Sequence, residues 1–202
     1  MASLKIVRSE AEPPGPEGSE ASDADVLALA RGGDRAALKA LYEREKRAVF
    51  RFLFDLLGDA PEATEGMQET FRRAFQSLAS LGDGHLRAWL FGIARNVYLE
   101  HRRSRRREAL HEALDEERGY SDPDAPTPEV LFLRHEAAAV MRRALGALSE
   151  DRRTVLLLRI DHGLSYLQIA ELMDWSMAKV KVEIHRARQR LREEMVGPGD
   201  KP

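Results

Sequence analysis

Apolar side chains recur at three- and four-residue intervals along most of this chain, starting at Val26 and running with few breaks to about Leu114. Leu38, Leu41, Tyr42, Val49, Phe52, Leu53 and Leu56 keep the spacing of one helix face. Asp34, after Gly32 and Gly33, is placed to cap that helix, and Gly58 with Pro61 ends it. A second helix is predicted from about 61 to 81, with Met67, Phe71, Ala74, Phe75 and Leu78 on one side, broken by Gly82, Asp83 and Gly84. A third, from about 86 to 111, is expected to bury Trp89, Leu90, Ile93, Ala94 and Val97. Residues 119–128 then bring one glycine and three prolines among acids, a break between two helical units. Helical spacing returns at about Glu129 and lasts to Val196, and no convincing alternating strand pattern occurs. The expected fold is all-α: a disordered tail at 1–22, a helical unit at 23–114, an acidic linker at 115–128, a smaller helical unit at 129–196 and a short tail at 197–202.

The second unit carries finer punctuation. Ser149 is placed to cap a helix whose apolar stripe takes in Leu148, Val155, Leu156 and Ile160. Ser165 and Gln168 have the spacing of a reciprocal capping box, opening a short helix with Ile169, Ala170, Leu172 and Met173. Asp174, Trp175 and Ser176 form a tight turn, and Ser176 can cap a last helix that buries Val180, Ile184, Ala187 and Leu191. Two helices joined by such a turn, the second basic on its outer side, describe a helix-turn-helix. Its outward first turns carry Met177, Ala178, Lys179, Lys181, Val182 and Glu183. Lysine can donate to guanine, glutamate can accept from cytosine, and a valine methyl can touch thymine. Arg186, Arg188 and Arg190 lie further along and suit phosphates, which position a helix without reading sequence.

Charge sharpens this picture. The 202 residues have a formal net charge of only −2, yet five of the six residues from Arg102 to Arg107 are arginine. Seven acids face one base between His111 and Val130, and six bases face Glu183 alone between Lys179 and Arg192. A polyanion responds to the local field, so two basic stretches around an acidic one fit nucleic-acid binding, although such runs are also plain solvated faces. With no cysteine there can be no disulfide, thiolate nucleophile or zinc–thiolate knuckle. Six histidines, at 85, 101, 111, 135, 162 and 185, include no pair at i, i+4, so a closed metal site is not expected. No apolar run approaches a membrane span, the first twenty residues lack the core of a secretory signal, and no further C-terminal domain is expected after the last helix. A cytoplasmic protein without cofactor is the expectation.

The second helix carries Glu65, Gln68, Glu69, Thr70 and Phe71 as an E-x-x-Q-E-T-F run, and the third carries Trp89 to Asn96 followed by His101, Arg102 and Arg103. Gly163 to Glu171 and Ile184 to Arg192 make up the helix-turn-helix of the second unit. Together these segments resemble one family, the extracytoplasmic-function (group IV) sigma factors of bacterial RNA polymerase, with its D-x-x-Q-E-T-F helix, its promoter-melting helix and its C-terminal helix-turn-helix in the same order. The resemblance implies a sigma-2 unit that docks on the two largest polymerase subunits through Glu65, Gln68, Glu69 and Arg72. Read without it, those residues are a polar helix face with Gln68 and Arg72 as an i, i+4 pair. It further implies −10 contacts by Asp83, His85, Arg87, Arg95, Asn96, Arg102, Arg103 and Arg106, where a melted strand needs flipped bases and cations along its backbone. The −35 contacts it implies are Ser165, Tyr166, Ser176, Lys179, Lys181, Val182, Glu183, Arg186 and Arg188. Trp89, Phe50, Phe52, Phe54, Phe71 and Phe75 are read as packing residues.

The chain departs from the family's pattern at Glu65 and Glu100, where aspartate is usual, and both keep the charge. In the recognition helix the frequent G-T-V-K-S-R reads Ala178, Lys179, Val180, Lys181, Val182, Glu183, so an unusual −35 preference is expected. The resemblance also implies core RNA polymerase, double-stranded −35 and single-stranded −10 DNA, and an anti-sigma factor as partners, with no catalysis by the chain itself. The competing readings are an ordinary helix-turn-helix regulator, which leaves the Gln68 and Trp89 segments unexplained, a metal-dependent hydrolase, and an anti-sigma-type interaction module.

Overall fold

The computed structural model describes residues 20–81, 85–108, 141 and 143–196. They form α1 (Glu20–Arg31), α2 (Arg35–Leu57), α3 (Ala60–Ser77) continued by a 3-10 turn at Leu78–Ser80, α4 (Leu86–Glu108), α5 (Glu150–Ile160), α6 (Tyr166–Met173) and α7 (Met177–Val196). No strand occurs among the described residues. The expected linker at 115–128, the start of the second unit and the C-terminal tail lie outside the described residues, as does Asp83. The backbone of α1 reaches back to Glu20, so the end of the expected N-terminal tail is helical.

Local chemistry sets the helix ends. Asp34 accepts from the Ala37 amide at 2.8 Å, and Asp59 accepts from the Glu62 amide at 2.9 Å, with Pro61 in the first turn of α3. Each satisfies an amide that a helix start leaves without a partner. Gly58 closes α2 in the left-handed region, φ 78°, and returns its amide to the Phe54 carbonyl. Gly66 serves packing instead: a Cβ there would lie 3.3 Å from Leu53 Cδ1 and 3.6 Å from Val97 Cγ1. The three long helices meet closely at this point, and beside it the buried Thr70 hydroxyl donates to the Gly66 carbonyl at 2.7 Å.

The two units share one core. Val49, Phe52 and Leu53 of α2, Phe71 and Ala74 of α3, and Leu90, Phe91 and Ala94 of α4 pack continuously with Val155, Leu158, Ile169, Val180 and Ile184 of the second unit. The joint is built around His162, which follows α5. Its ring is 4 % exposed and lies 4.4 Å from the Phe91 ring and 5.6 Å from Phe52. Three ion pairs rim the seam: Arg102 with Glu150, Arg95 Nη2 with Asp151 at 3.7 Å, and Arg51 Nη2 with Asp161 at 3.9 Å. A smaller cluster of Ala30, Ala37, Leu41, Leu78 and Leu81 fastens α1, helped by Arg31 donating to the Leu81 carbonyl.

Two packing expectations need correction. Ile160, placed in the core stripe from its spacing, is 52 % exposed, because it is the last residue of α5 and projects past the partners of Val155 and Leu158. Ser149 occupies the cap position of α5, but its side chain makes no capping hydrogen bond. Trp89 is half-buried between both clusters, and Phe52 and Phe71 are core.

Candidate nucleic-acid interface

On α3, Glu65, Gln68 and Arg72 are exposed and Glu69 is half-buried along one side of the helix. Arg72 does not pair with Gln68. It donates through Nε and Nη2 to both Glu69 oxygens, each at 2.6 Å, and through Nη1 to Gln76 at 3.0 Å. A guanidinium with a carboxylate in reach takes that forked partner before a neutral amide. Hydrogen bonds from Arg72 and Arg73 hold the Glu69 carboxyl at about 2, so it is ionised throughout the neutral range. Arg73 also crosses to α4, donating to both oxygens of Glu100 at 2.8 and 2.6 Å. That bridge was not legible as a site in the sequence, since its partner lies 27 residues away.

The proposed −10 residues divide by their partners. His85 and Asn96 are exposed, as are Arg103 and Arg106 on the basic end of α4. Arg87 is tied down: its Nε donates at 3.1 Å to Glu45, a carboxylate 5 % exposed that also accepts from Arg44. Arg95 and Arg102 face the second unit, paired with Asp151 and Glu150. All five predicted arginines therefore lie on α4: Arg103 and Arg106 open to solvent, Arg95 and Arg102 held in the seam, and Arg87 tied to Glu45.

In the second unit Ser165 and Gln168 complete the capping box, with Ser165 N–H donating to Gln168 at 2.8 Å and Gln168 N–H to Ser165 Oγ at 3.2 Å. Asp174 ends α6 in the left-handed region, φ 54°, and turns the chain sharply into Ser176, whose hydroxyl accepts from the Lys179 amide at 3.2 Å. With Val180, Ile184 and Ala187 buried, α7 shows Met177, Lys179, Lys181, Val182, Arg186 and Arg188 to solvent. Aromatic rings order two of these cations. The Lys179 ammonium lies 3.7 Å from the Trp175 ring centre, and Lys181 lies 5.5 Å from Tyr166, whose ring also carries Arg159 at 4.6 Å. Trp175 was missed in the sequence, although its place four residues before Lys179 is the available signal. Glu183 is the exception on this helix. Its carboxylate accepts from Arg152 of α5 at 2.7 Å and from Arg186 at 2.9 Å, and those bonds, Arg152 foremost, pull it below the ordinary carboxylate range.

Among the described residues no group of three His, Asp or Glu side chains is placed to hold a metal ion. No described helix is long and apolar enough to cross a membrane.

The family described as Sigma-70 region 2 matches residues 41–108, and Sigma-70 region 4 matches residues 138–191. Together with the all-helical fold they define a protein of the sigma-70 class, with the two regions on the two packed units. The ECF RNA polymerase sigma factor SigE of Mycolicibacterium smegmatis is 32 % identical over 164 residues, 80 % of this chain and 63 % of that one. The ECF RNA polymerase sigma factor SigL of Mycobacterium tuberculosis is 32 % identical over 165 residues, 81 % of this chain and 91 % of that one. This chain belongs to the extracytoplasmic-function RNA polymerase sigma factors. Its fold is similar to that of the sigma factor RpoE of Bartonella quintana, solved in complex with the anti-sigma factor NepR: TM-score 0.65, 24 % identity, covering 79 % of this chain and 97 % of that one.

Proposed function

We propose that this chain recruits core RNA polymerase through the α3 face of Glu65, Gln68, Glu69 and Arg72 and directs it to promoters with two separate DNA surfaces. Residues 23–114 act as the docking and −10 unit, and residues 129–196 as the −35 unit. The observation that carries the reading is the capped helix-turn-helix of α6 and α7, standing behind a region-2 bundle in the order a two-element promoter reader needs. Lys179 and Lys181, steadied on Trp175 and Tyr166, are the direct readers, with Val182 beside them. Arg186 and Arg188 hold phosphates. Ser165, Tyr166 and Ser176 belong to the turn that presents them.

At the −10 element, Asn96, Arg103 and Arg106 are open to a strand as they stand, and His85 flanks the loop before α4. Arg95 and Arg102 reach a strand only after exchanging Asp151 and Glu150 for phosphate oxygens, so the two units part on promoter engagement. The chain performs no catalysis of its own; the polymerase makes the RNA. An anti-sigma factor holds the closed form, in keeping with the complex in which the similar RpoE was solved.

Purified core polymerase retained on the immobilised wild type, and weakened retention on Gln68→Ala/Arg72→Ala, is the expected outcome. Run-off transcription on a promoter library then reports the −35 and −10 sequences. Absence of wild-type binding at low salt would return the chain to the class of helix-turn-helix regulators.

A further inference from the structure

Glu183 sits among six bases on a helix expected to read DNA, and its carboxylate is spent inside the protein. Val180, Ile184 and Ala187 fix the buried stripe of α7, which puts Glu183 on the flank nearest α5 and Arg186 almost one turn on. Arg152, in the first turn of α5, reaches across to the same carboxylate: Arg152 Nε donates to Oε2 at 2.7 Å, and Arg186 Nη1 donates to Oε1 at 2.9 Å. The Glu183 side chain is only 16 % exposed, while Arg152 and Arg186 are 36 % and 56 % exposed. Two guanidinium groups are thus held side by side over one shielded acid, with one positive charge in excess. The terminal nitrogens of Arg152 make no hydrogen bond to another described residue, which leaves the planar fork that matches phosphate oxygens.

We propose that Arg152 is a further phosphate-binding residue of the −35 surface, held beside Arg186 by Glu183, which positions the pair and reads no base. This rests on the promoter reading above, because only a duplex lying along α7 brings a phosphate to Arg186 and its neighbour. The plain alternative is an ion triad that only braces α5 against α7. The two differ in salt dependence: a brace leaves the number of neutralised phosphates unchanged, and a phosphate contact adds to it.

The test uses holoenzyme assembled from core polymerase and the full chain, binding a promoter fragment taken from a library randomised at −35. For Arg152→Gln, the log–log salt slope falls by about 1 and affinity drops by a similar factor for every −35 sequence, as a lost phosphate contact requires. Glu183→Gln keeps both arginines and the side-chain shape, so its selected −35 sequence is unchanged and its slope is not reduced. A slope unaltered in folded Arg152→Gln overturns the proposal. So does a base preference moved at one position by Glu183→Gln, which would make Glu183 a reader. Arg186→Ala, expected to lower the slope in the same way, separates the two levels: if it and Arg152→Gln both leave the slope intact, the duplex does not lie along α7. A wild type that selects no −35 sequence sinks the promoter reading and this clamp with it.

Discussion

Two ionisable groups beside the seam have been moved in opposite directions, and together they conceal each other. His162, enclosed by Phe52 and Phe91 with its Nε2 lacking a hydrogen-bond partner among the described residues, is pushed down from 6.5 to about 4, first by burial and then by Arg87 and Arg51. Asp55 on α2 is raised from 3.8 to about 6, first by burial, with Asp161 adding to the rise and Arg51 opposing it. A histidine whose folded value is depressed takes up protons more readily in the unfolded chain, so its contribution is present above 6.5 and disappears as pH falls toward 4. An aspartate whose folded value is raised behaves oppositely: the folded protein gains as pH falls from 6 to 3.8. At 1.36 kcal/mol per pH unit, each interval is worth about 3 kcal/mol. The wild type is therefore expected to show little net change from these two groups between pH 6.5 and 4. Asp55→Asn removes one side of the balance, and its urea-derived stability relative to wild type should fall by about 3 kcal/mol on acidification. His162→Leu removes the other, and relative to wild type it should gain about 3 kcal/mol over the same interval. Taking differences cancels the remaining carboxylates, which all three proteins share. Parallel pH profiles for the three proteins would refute the reasoning, as would an NMR titration of the His162 ring centred at 6.5.

Other consequences are simpler to read. Gly66→Val should cost about 1–3 kcal/mol in a urea melt, because the added methyls meet Leu53 and Val97 where three helices converge. Ser165→Ala removes one half of the capping box and should cost about 1 kcal/mol, with α6 the first helix to lose amide protection. Glu150→Gln with Asp151→Asn releases Arg102 and Arg95, so the isolated protein should bind a labelled single-stranded −10 oligonucleotide several-fold more tightly at low salt. Unchanged binding would mean that those arginines do not meet the strand.

What could be read in advance was local. Asp34, Ser165 with Gln168, and Ser176 each bond within three residues of themselves, so a window of sequence contains both partners. The motifs on α3, α4 and α7 were visible for the same reason, since each lies on one helix. What escaped joins residues far apart. Glu45 reads as one more polar helix position, yet it is buried and met by Arg87 from 42 residues away. His162 reads as one of six scattered histidines and proves to be the plug of the seam. Glu183 reads as an outward residue of the last helix, and its bond to Arg152, 31 residues earlier, could not be seen from that helix alone. Ile160 failed for a related reason: periodicity tells which side of a helix is apolar but not where the neighbouring helix stops.

Arg73 ties Glu69 on α3 to Glu100 on α4, and with Gly66 drawing the same helices together it makes the first unit a fixed gauge. A partner that grips Glu65 to Arg72 thereby also sets where Asn96 and Arg103 are held, to within side-chain play. Promoters vary in the spacing between their two elements, and this gauge cannot stretch to follow them. The adjustment falls to the joint at His162, where the shared apolar core, the enclosed ring and three ion pairs hold the two halves of the molecule together.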